Sequence, residues 1–194
     1  MEAIREFKIS SHFEKGAWIP GQTLKIYVDN DPLNPRKEWD NLGTMICFNR
    51  RYDLGDPHNL RADEFSSWDE IEEYLRREKD AVVILPLYIY DHSGIVMNTT
   101  GFNCPWDSSQ VGFIYVSKSK IEDEYGQDTR ENRDIAQSVL EGEVVEYSKY
   151  LSGDAYGYKV FADEEEGEEV DSCWGFYEIE HIFKYTGFSK ENEV

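Results

Sequence analysis

The chain has 194 residues, 14% of them aromatic, and a formal net charge of −20 from 40 acidic and 20 basic side chains. That length suits one domain, or one domain with a substantial appendage, and the aromatic content argues for a packed core rather than disorder. So negative a surface excludes ordinary binding to DNA or anionic membrane and favours basic protein surfaces.

The charge is uneven along the chain. Residues 122–194 hold 21 acidic and 6 basic side chains, a net of −15, against −5 for residues 1–121. The expected organisation is a single domain over 1–194 with an acidic C-terminal part from about residue 122. Cys47, Cys104 and Cys173 are odd in number and lack CxxC spacing, which points to reduced thiols without a disulfide framework or zinc finger. The opening MEAIREFKISSHFEKG is charged throughout and lacks the apolar segment of a signal peptide. The longest apolar run, AVVILPLYIY at 81–90, is half of the roughly 20 residues a membrane helix needs. A soluble protein of the cytoplasm is the expectation.

In chain order, 4–9 and 23–28 read as short strands, the second alternating Leu24, Ile26 and Val28 with Lys25 and Tyr27. DNDPLNP (29–35) is turn chemistry, and Met45 to Phe48 is a short apolar strand between glycine-containing turns. Ser67-Trp-Asp-Glu70 forms a capping box that opens a helix over 68–79. Trp68, Ile71 and Leu75 share one face of it, and Glu72–Arg76 and Glu73–Arg77 have i,i+4 spacing. VVILPLYIY (82–90) is a strand that Pro86 confines to an edge or a bulge. DHSG (91–94) turns it back, CPWDSSQ (104–110) is a loop, and VGFIYV (111–116) is a central strand.

Helical sequence covers 117–125 and, after Gly126, 129–151, with Asp128-x-x-Glu131 as a cap and Ile135, Val139, Val145 and Leu151 supplying apolar spacing. The remainder reads as a hairpin. Tyr156, Tyr158 and Val160 on one arm and Cys173, Gly175 and Tyr177 on the other flank an acidic tip at 163–171. The fold class is α+β: a mainly antiparallel sheet with two helical regions and a C-terminal β-hairpin.

Three groups of residues invite chemistry. Cys104, His92 and Asp107 supply the thiol, base and orienting carboxylate of a nucleophilic site, provided the strands pair so that His92 lies near residue 104. Against this, Pro105 leaves no amide beside the thiol, and CPWD also reads as a turn whose tryptophan anchors a loop. The run Asp163, Glu164, Glu165, Glu166, Gly167, Glu168, Glu169, Val170, Asp171 resembles a calcium loop in composition only. Its glycine is fifth rather than sixth and its flanks are strands, so no metal site and no cofactor are expected. Arg50, Arg51 and His58 could hold a phosphate, but without a glycine-rich loop internal salt bridges are favoured.

The acidic tip and a face carrying Glu141, Glu143 and Glu146 have another use. Duplex DNA presents one charge per ~1.7 Å of axis, and an array of carboxylates suits a basic cleft that binds nucleic acid.

Four stretches resemble a family of uncharacterised bacteriophage and prophage proteins: WDNLGTMICFNRRYDLGD (39–56), LPLYIYDHSGIVMNTTGFNCPWDSSQVGFIYVSKSKI (85–121), YLSGDAYGYKVF (150–161) and DSCWGFYE (171–178). The resemblance runs from Trp39 to Glu178 with gaps and implies a phage origin and expression in the cytoplasm of a bacterial host; it implies no mechanism. By analogy of class alone, small acidic phage proteins often resemble inhibitors of host defence. The favoured expectation is therefore a non-enzymatic inhibitor of a CRISPR or restriction nuclease. It would bind a basic nucleic-acid-binding surface through Glu141, Glu143, Glu146, Asp163 to Glu166, Glu168, Glu169 and Asp171, without itself binding nucleic acid. The alternatives are a small Cys/His-dependent enzyme acting on a nucleotide or peptide, and a phage regulatory or interaction protein.

Overall fold

The computed structural model describes residues 2–15, 17–92, 94–104, 106–162 and 167–194. The fold is α+β with antiparallel sheets, and the chain divides into two compact units, 1–33 with 153–194 and 34–152. The compositional boundary near residue 122 falls inside a helix of the second unit.

The first unit is built on strands β1 (Arg5–Ile9), β4 (Gln22–Val28), β9 (Tyr156–Ala162) and β10 (Glu169–Phe176), paired in that order, with β2 (His12–Glu14) and β3 (Ala17–Ile19) forming a separate hairpin. Alternation sends Phe7, Leu24, Ile26, Tyr158 and Val160 to one face, where Ile182 and Phe183 of helix α5 (Ile179–Thr186) cover them. Phe7 and Phe183 meet edge to face, with centroids 4.9 Å apart. On the other face Trp174 lies opposite Gly157, where a Cβ would stand 2.0 Å from the indole. The β1 edge is occupied by the chain's end: Val194 N donates to Glu6 O at 3.1 Å, and Glu193 takes both arms of Arg5 at 2.7 Å.

The expected hairpin is present, but the alternation over Cys173, Gly175 and Tyr177 is not kept. A bulge at Gly175, whose φ is +88°, shifts the parity so that Phe176 joins Cys173 against the core. Tyr177 lies beyond the strand and donates from its hydroxyl to Leu33 O at 2.7 Å.

The second unit holds α1 (Pro35–Glu38), β5 (Thr44–Cys47), α2 (Trp68–Glu78), β6 (Ala81–Asp91), β7 (Ile95–Asn98), β8 (Ser108–Ser117), α3 (Lys118–Tyr125) and α4 (Arg130–Ser152). Its sheet runs β5-β8-β6-β7. Ile71 and Leu75 of α2 pack on Ile46 and Phe113, while Ala136, Leu140, Val144 and Tyr147 of α4 pack on Met45, Val83, Leu87 and Ile114. A sheet covered on both faces needs apolar side chains at successive positions, which is why VGFIYV reads as a continuous run. The strand begins at Ser108, earlier than the loop reading of 104–110 allows, because Tyr90 pairs with Ser108 and Ile89 with Ser109.

Strand β6 carries register shifts between Ala81 and Val83 and between Leu87 and Tyr88, and at Pro86 it is locally an edge, as the proline requires. The proline is tolerated because β7 pairs only with Tyr88 to Asp91, so Pro86 has β8 on one side and no described strand on the other.

The apolar spacing expected along α4 picks the outer side of the helix. Ile135, Val139 and Val145 are 45%, 37% and 51% exposed, whereas Ala136, Leu140, Val144 and Tyr147 form the buried stripe. Only Leu151 of the expected set packs against the core. The cap of α4 is Thr129, whose Oγ1 accepts from Asn132 N at 3.2 Å; Asp128 is held instead by both arms of Arg133. On α2, Ser67 Oγ accepts from Glu70 N at 3.2 Å as expected, and Glu70 reaches Ser66 N at 2.6 Å. Arg76 meets Glu72 at 2.6 Å, but Arg77 turns to Glu78 rather than Glu73.

Candidate functional site

The acidic residues differ in what they engage. Glu141, Glu143 and Glu146 cannot share a helix face: at ~100° per residue the first two lie roughly 160° apart. Glu143 points inward. Its carboxylate accepts from Arg36 Nη1 at 2.7 Å, Leu42 N at 2.7 Å and Gly43 N at 3.2 Å. Arg36, brought there by α1 behind its Asn34 cap, also clamps Asp56 at 2.9 and 2.6 Å and donates to Gly43 O at 2.7 Å. Burial opposes the Arg36 charge, yet the bonds to Asp56 and then Glu143 leave its pKa above the ordinary value.

Glu141 is exposed and takes a bond from Gln137 at 2.9 Å, and Glu146 is half-buried. In the hairpin, Glu169 is paired with Lys159 at 2.6 Å, and that bond holds its carboxyl below the usual range. Asp171 accepts from Tyr158 Oη at 2.7 Å. Glu168 is exposed. Asp163, Glu164, Glu165 and Glu166 lie outside the described residues, between strands that are closed by Ala162 N donating to Glu168 O at 3.0 Å. Among the described residues no group of three His, Cys, Asp or Glu is placed to hold a metal ion.

Pairing of β6 with β8 does bring His92, Cys104 and Asp107 to one end of the sheet, fixed by Asp91 N donating to Asp107 O at 3.0 Å. Cys104 Sγ and His92 Nδ1 each lie 3.8 Å from the same oxygen, Asp107 Oδ2. In a thiol–imidazole–carboxylate relay the imidazole stands between its partners. Here the carboxylate is the shared partner. Trp106 does not anchor the loop: it is 92% exposed. Tyr90 is stacked obliquely with His92 and Phe102 at 5.9 and 5.7 Å.

The Arg50, Arg51, His58 group is dispersed. Arg51 pairs with Asp91 at 2.9 Å and covers the Tyr52 ring, and His58 Nε2 is 2.9 Å from Cys47 O.

A locus that sequence reading missed lies along the uncovered part of β6. A cavity of about 570 Å³ opens on Val82, Val83 and Ile84, with Arg76 from α2 and Arg130 and Arg133 from α4 around it. A four-residue β7 pairs with only part of an eleven-residue β6, which no sequence pattern announces.

Comparison of the chain with protein-family models, curated proteins and solved structures finds no match. Among the described residues no helix is long and apolar enough to cross a membrane.

Proposed function

We propose that the protein is a non-catalytic, phage-encoded inhibitor of a host defence nuclease of the CRISPR or restriction type, acting in the bacterial cytoplasm by occupying a basic nucleic-acid-binding surface. The observation that supports this most is the exposed acidic side of α3 and α4. Glu122, Asp123, Glu124, Glu131, Asp134 and Glu141 are all exposed there. On α4, Glu131, Asp134 and Glu141 lie within roughly 80° of one another around the helix and span about 15 Å along it. That array replaces the Glu141, Glu143, Glu146 face, with the hairpin tip as a second candidate.

The test is cleavage of a labelled duplex by a panel of purified CRISPR effectors and restriction endonucleases. Inhibition should weaken with added salt, because screening shortens to roughly 8 Å at physiological ionic strength. It should also weaken on combined Glu131→Lys, Asp134→Lys and Glu141→Lys substitution. Inhibition untouched by both salt and that substitution would sink the reading.

Two observations favour other readings. Convergence of Cys104 and His92 on Asp107 favours a small enzyme acting on a nucleotide or peptide; a Cys104→Ser variant with its full biological effect would end it. Exposure of Trp106 favours an interaction protein, since tryptophan anchors are frequent hot spots. That reading requires a partner complex lost in Trp106→Ala and insensitive to salt.

A further inference from the structure

Strand β1 is the outer strand of the first unit's sheet, and its edge is taken up by residues 193 and 194 of the same chain. Glu6 O accepts from Val194 N at 3.1 Å, and Phe7 stands opposite Glu193 in an antiparallel bridge. The polar backbone groups of Glu6 therefore point away from β4, and the two-residue period puts those of Lys8 on the same side. Other ties of this segment are ion pairs at the surface. Glu193 meets Arg5 at 2.7 Å with the two side chains 44% and 29% exposed, and Lys190 reaches Glu180 of α5 at 2.7 Å. Phe188 is held differently. It is buried with Phe7, Ile182 and Phe183, and Gly187 before it turns the chain at φ +79°. Residues 189–194 are thus a strap with a fixed root and a lightly held end.

Beneath the strap, β1 reads Arg-Glu-Phe-Lys-Ile, a sequence that complements itself when reversed. Outward backbone groups on Glu6 and Lys8 permit three antiparallel registers with a second β1: Glu6 on Glu6, Lys8 on Lys8, or Glu6 on Lys8. The first two set like charges directly opposite, which destabilises a strand pair; the third sets opposite charges, twice. It also places Phe7 against Phe7 of the second copy on the apolar face. The charges at the edge, Glu6 with Lys8 and Lys25 and Arg5 with Glu180, nearly cancel. The seam itself therefore adds little repulsion to that between two chains of net charge −20.

We infer that residues 189–194 are a latch over a self-association edge: when the strap lifts, β1 pairs antiparallel with β1 of a second copy and joins the two four-stranded sheets into one. Closed, the strap covers the edge and keeps the chain monomeric.

Sedimentation velocity of the full chain over a range of concentrations measures the dimer. Physiological ionic strength, with screening over roughly 8 Å, damps repulsion between the acidic chains more than attraction across the close pairs. Glu193→Ala should ease opening by up to about fivefold per chain and tighten dimerisation by up to about 25-fold, because both chains must open. Glu191→Ala removes the same charge from the strap but leaves the Arg5 pair, and should change nothing. In the Glu193→Ala background, Glu6→Lys and Lys8→Glu should each return the chain to monomer. Mixing those two variants should restore a dimer, since every cross-strand pair then joins a lysine to a glutamate. A Glu193→Ala chain no more dimeric than the parent, a dimer indifferent to both reversals, or a mixture that stays monomeric would each overturn the proposal. Amide exchange at Glu6 and Lys8 should slow as the Glu193→Ala chain dimerises. That measurement leaves β1 unaltered, so it stands even where a reversed variant fails to fold; a dimer that forms without such slowing also overturns the proposal.

Discussion

Replacing Arg36 by methionine removes the cation from between two carboxylates that the fold holds largely out of water. The Arg36 side chain is 1% exposed, Asp56 19% and Glu143 11%. Taking one partner from a buried ion cluster costs about 3–5 kcal/mol, because the charges left behind keep their desolvation penalty without compensation. Gly43 O loses its donor as well. Met45 N, Leu42 N and Gly43 N still point at the two carboxylates, so neither can turn out to solvent without breaking backbone hydrogen bonds. A loss of that size is a large part of the 5–15 kcal/mol that stabilises a typical domain.

The assay is urea unfolding of the full chain, followed by tryptophan fluorescence and by far-ultraviolet circular dichroism. Arg36→Lys should be intermediate, since an ammonium keeps the charge but cannot form the two-armed clamp on Asp56. Adding Asp56→Asn and Glu143→Gln to Arg36→Met should recover much of the loss, because the stranded charges go. A destabilisation below about 1 kcal/mol, the scale of an exposed pair, would refute the argument. The same reasoning bears on function: charge reversal at Glu143 reports on folding, not on partner binding.

Other outcomes follow from single residues. Burial, and then the charge of Asp56, push the Cys47 thiol up to about 12, so a thiol reagent at neutral pH should label Cys104 and Cys173 but not Cys47; peptide mapping that finds modified Cys47 in the folded protein contradicts this. Gly112→Ala should cost about 2–4 kcal/mol in the same urea assay, since the added Cβ would stand 1.9 Å from Ile46 O, a backbone atom fixed by strand pairing; a variant as stable as the parent would show that β5 and β8 are not so closely apposed. Burial raises the Tyr147 hydroxyl to about 12, against about 10 when unfolded. Its neutral form is therefore favoured by folding, with the stabilisation complete below pH ~10 and lost as pH rises towards ~12. Cys47 has the same sign, and a stability that does not fall over this range would count against both burials.

Much of the fold was legible because it rests on local rules. Ser67 and Glu70 mark the start of α2, Gly126 ends α3 with φ +82°, and the alternation of Leu24 and Ile26 marks the core face of β4. The readings that failed depend on what lies across from a residue. Helix α4 carries two apolar stripes, and nothing local says that Ala136 and Leu140 face the sheet while Ile135 and Val139 face out. Glu143 is one of many glutamates in the sequence. Only Arg36, 107 positions away, distinguishes it. The reading of Trp106 as the anchor of a turn fails because its side chain is 92% exposed, which no local pattern in CPWD announces. The separation of Glu141 from Glu143, by contrast, was available from the helical repeat alone.

The acidity concentrated after residue 122 along the chain disappears as an asymmetry once the units are formed. Residues 1–33 and 153–194 carry 17 acidic and 7 basic side chains, and residues 34–152 carry 23 and 13, so each unit has a net charge of −10. Pairing of β4 with β9 joins a nearly neutral N-terminal segment to the acidic hairpin, while α3 and α4 give their carboxylates to the other unit. Net charge therefore does not say which unit would meet the basic partner proposed above, and geometry must. Two sets of substitutions decide it, one reversing Glu131, Asp134 and Glu141 and the other reversing three glutamates of the 163–171 tip, with the same change in total charge. If long-range attraction alone sustains inhibition, both sets weaken it equally and added salt removes the difference between variant and parent. If an array matched to a nucleic-acid groove is responsible, one set abolishes inhibition and the other leaves most of it. Equal, small effects at every salt concentration would exclude both.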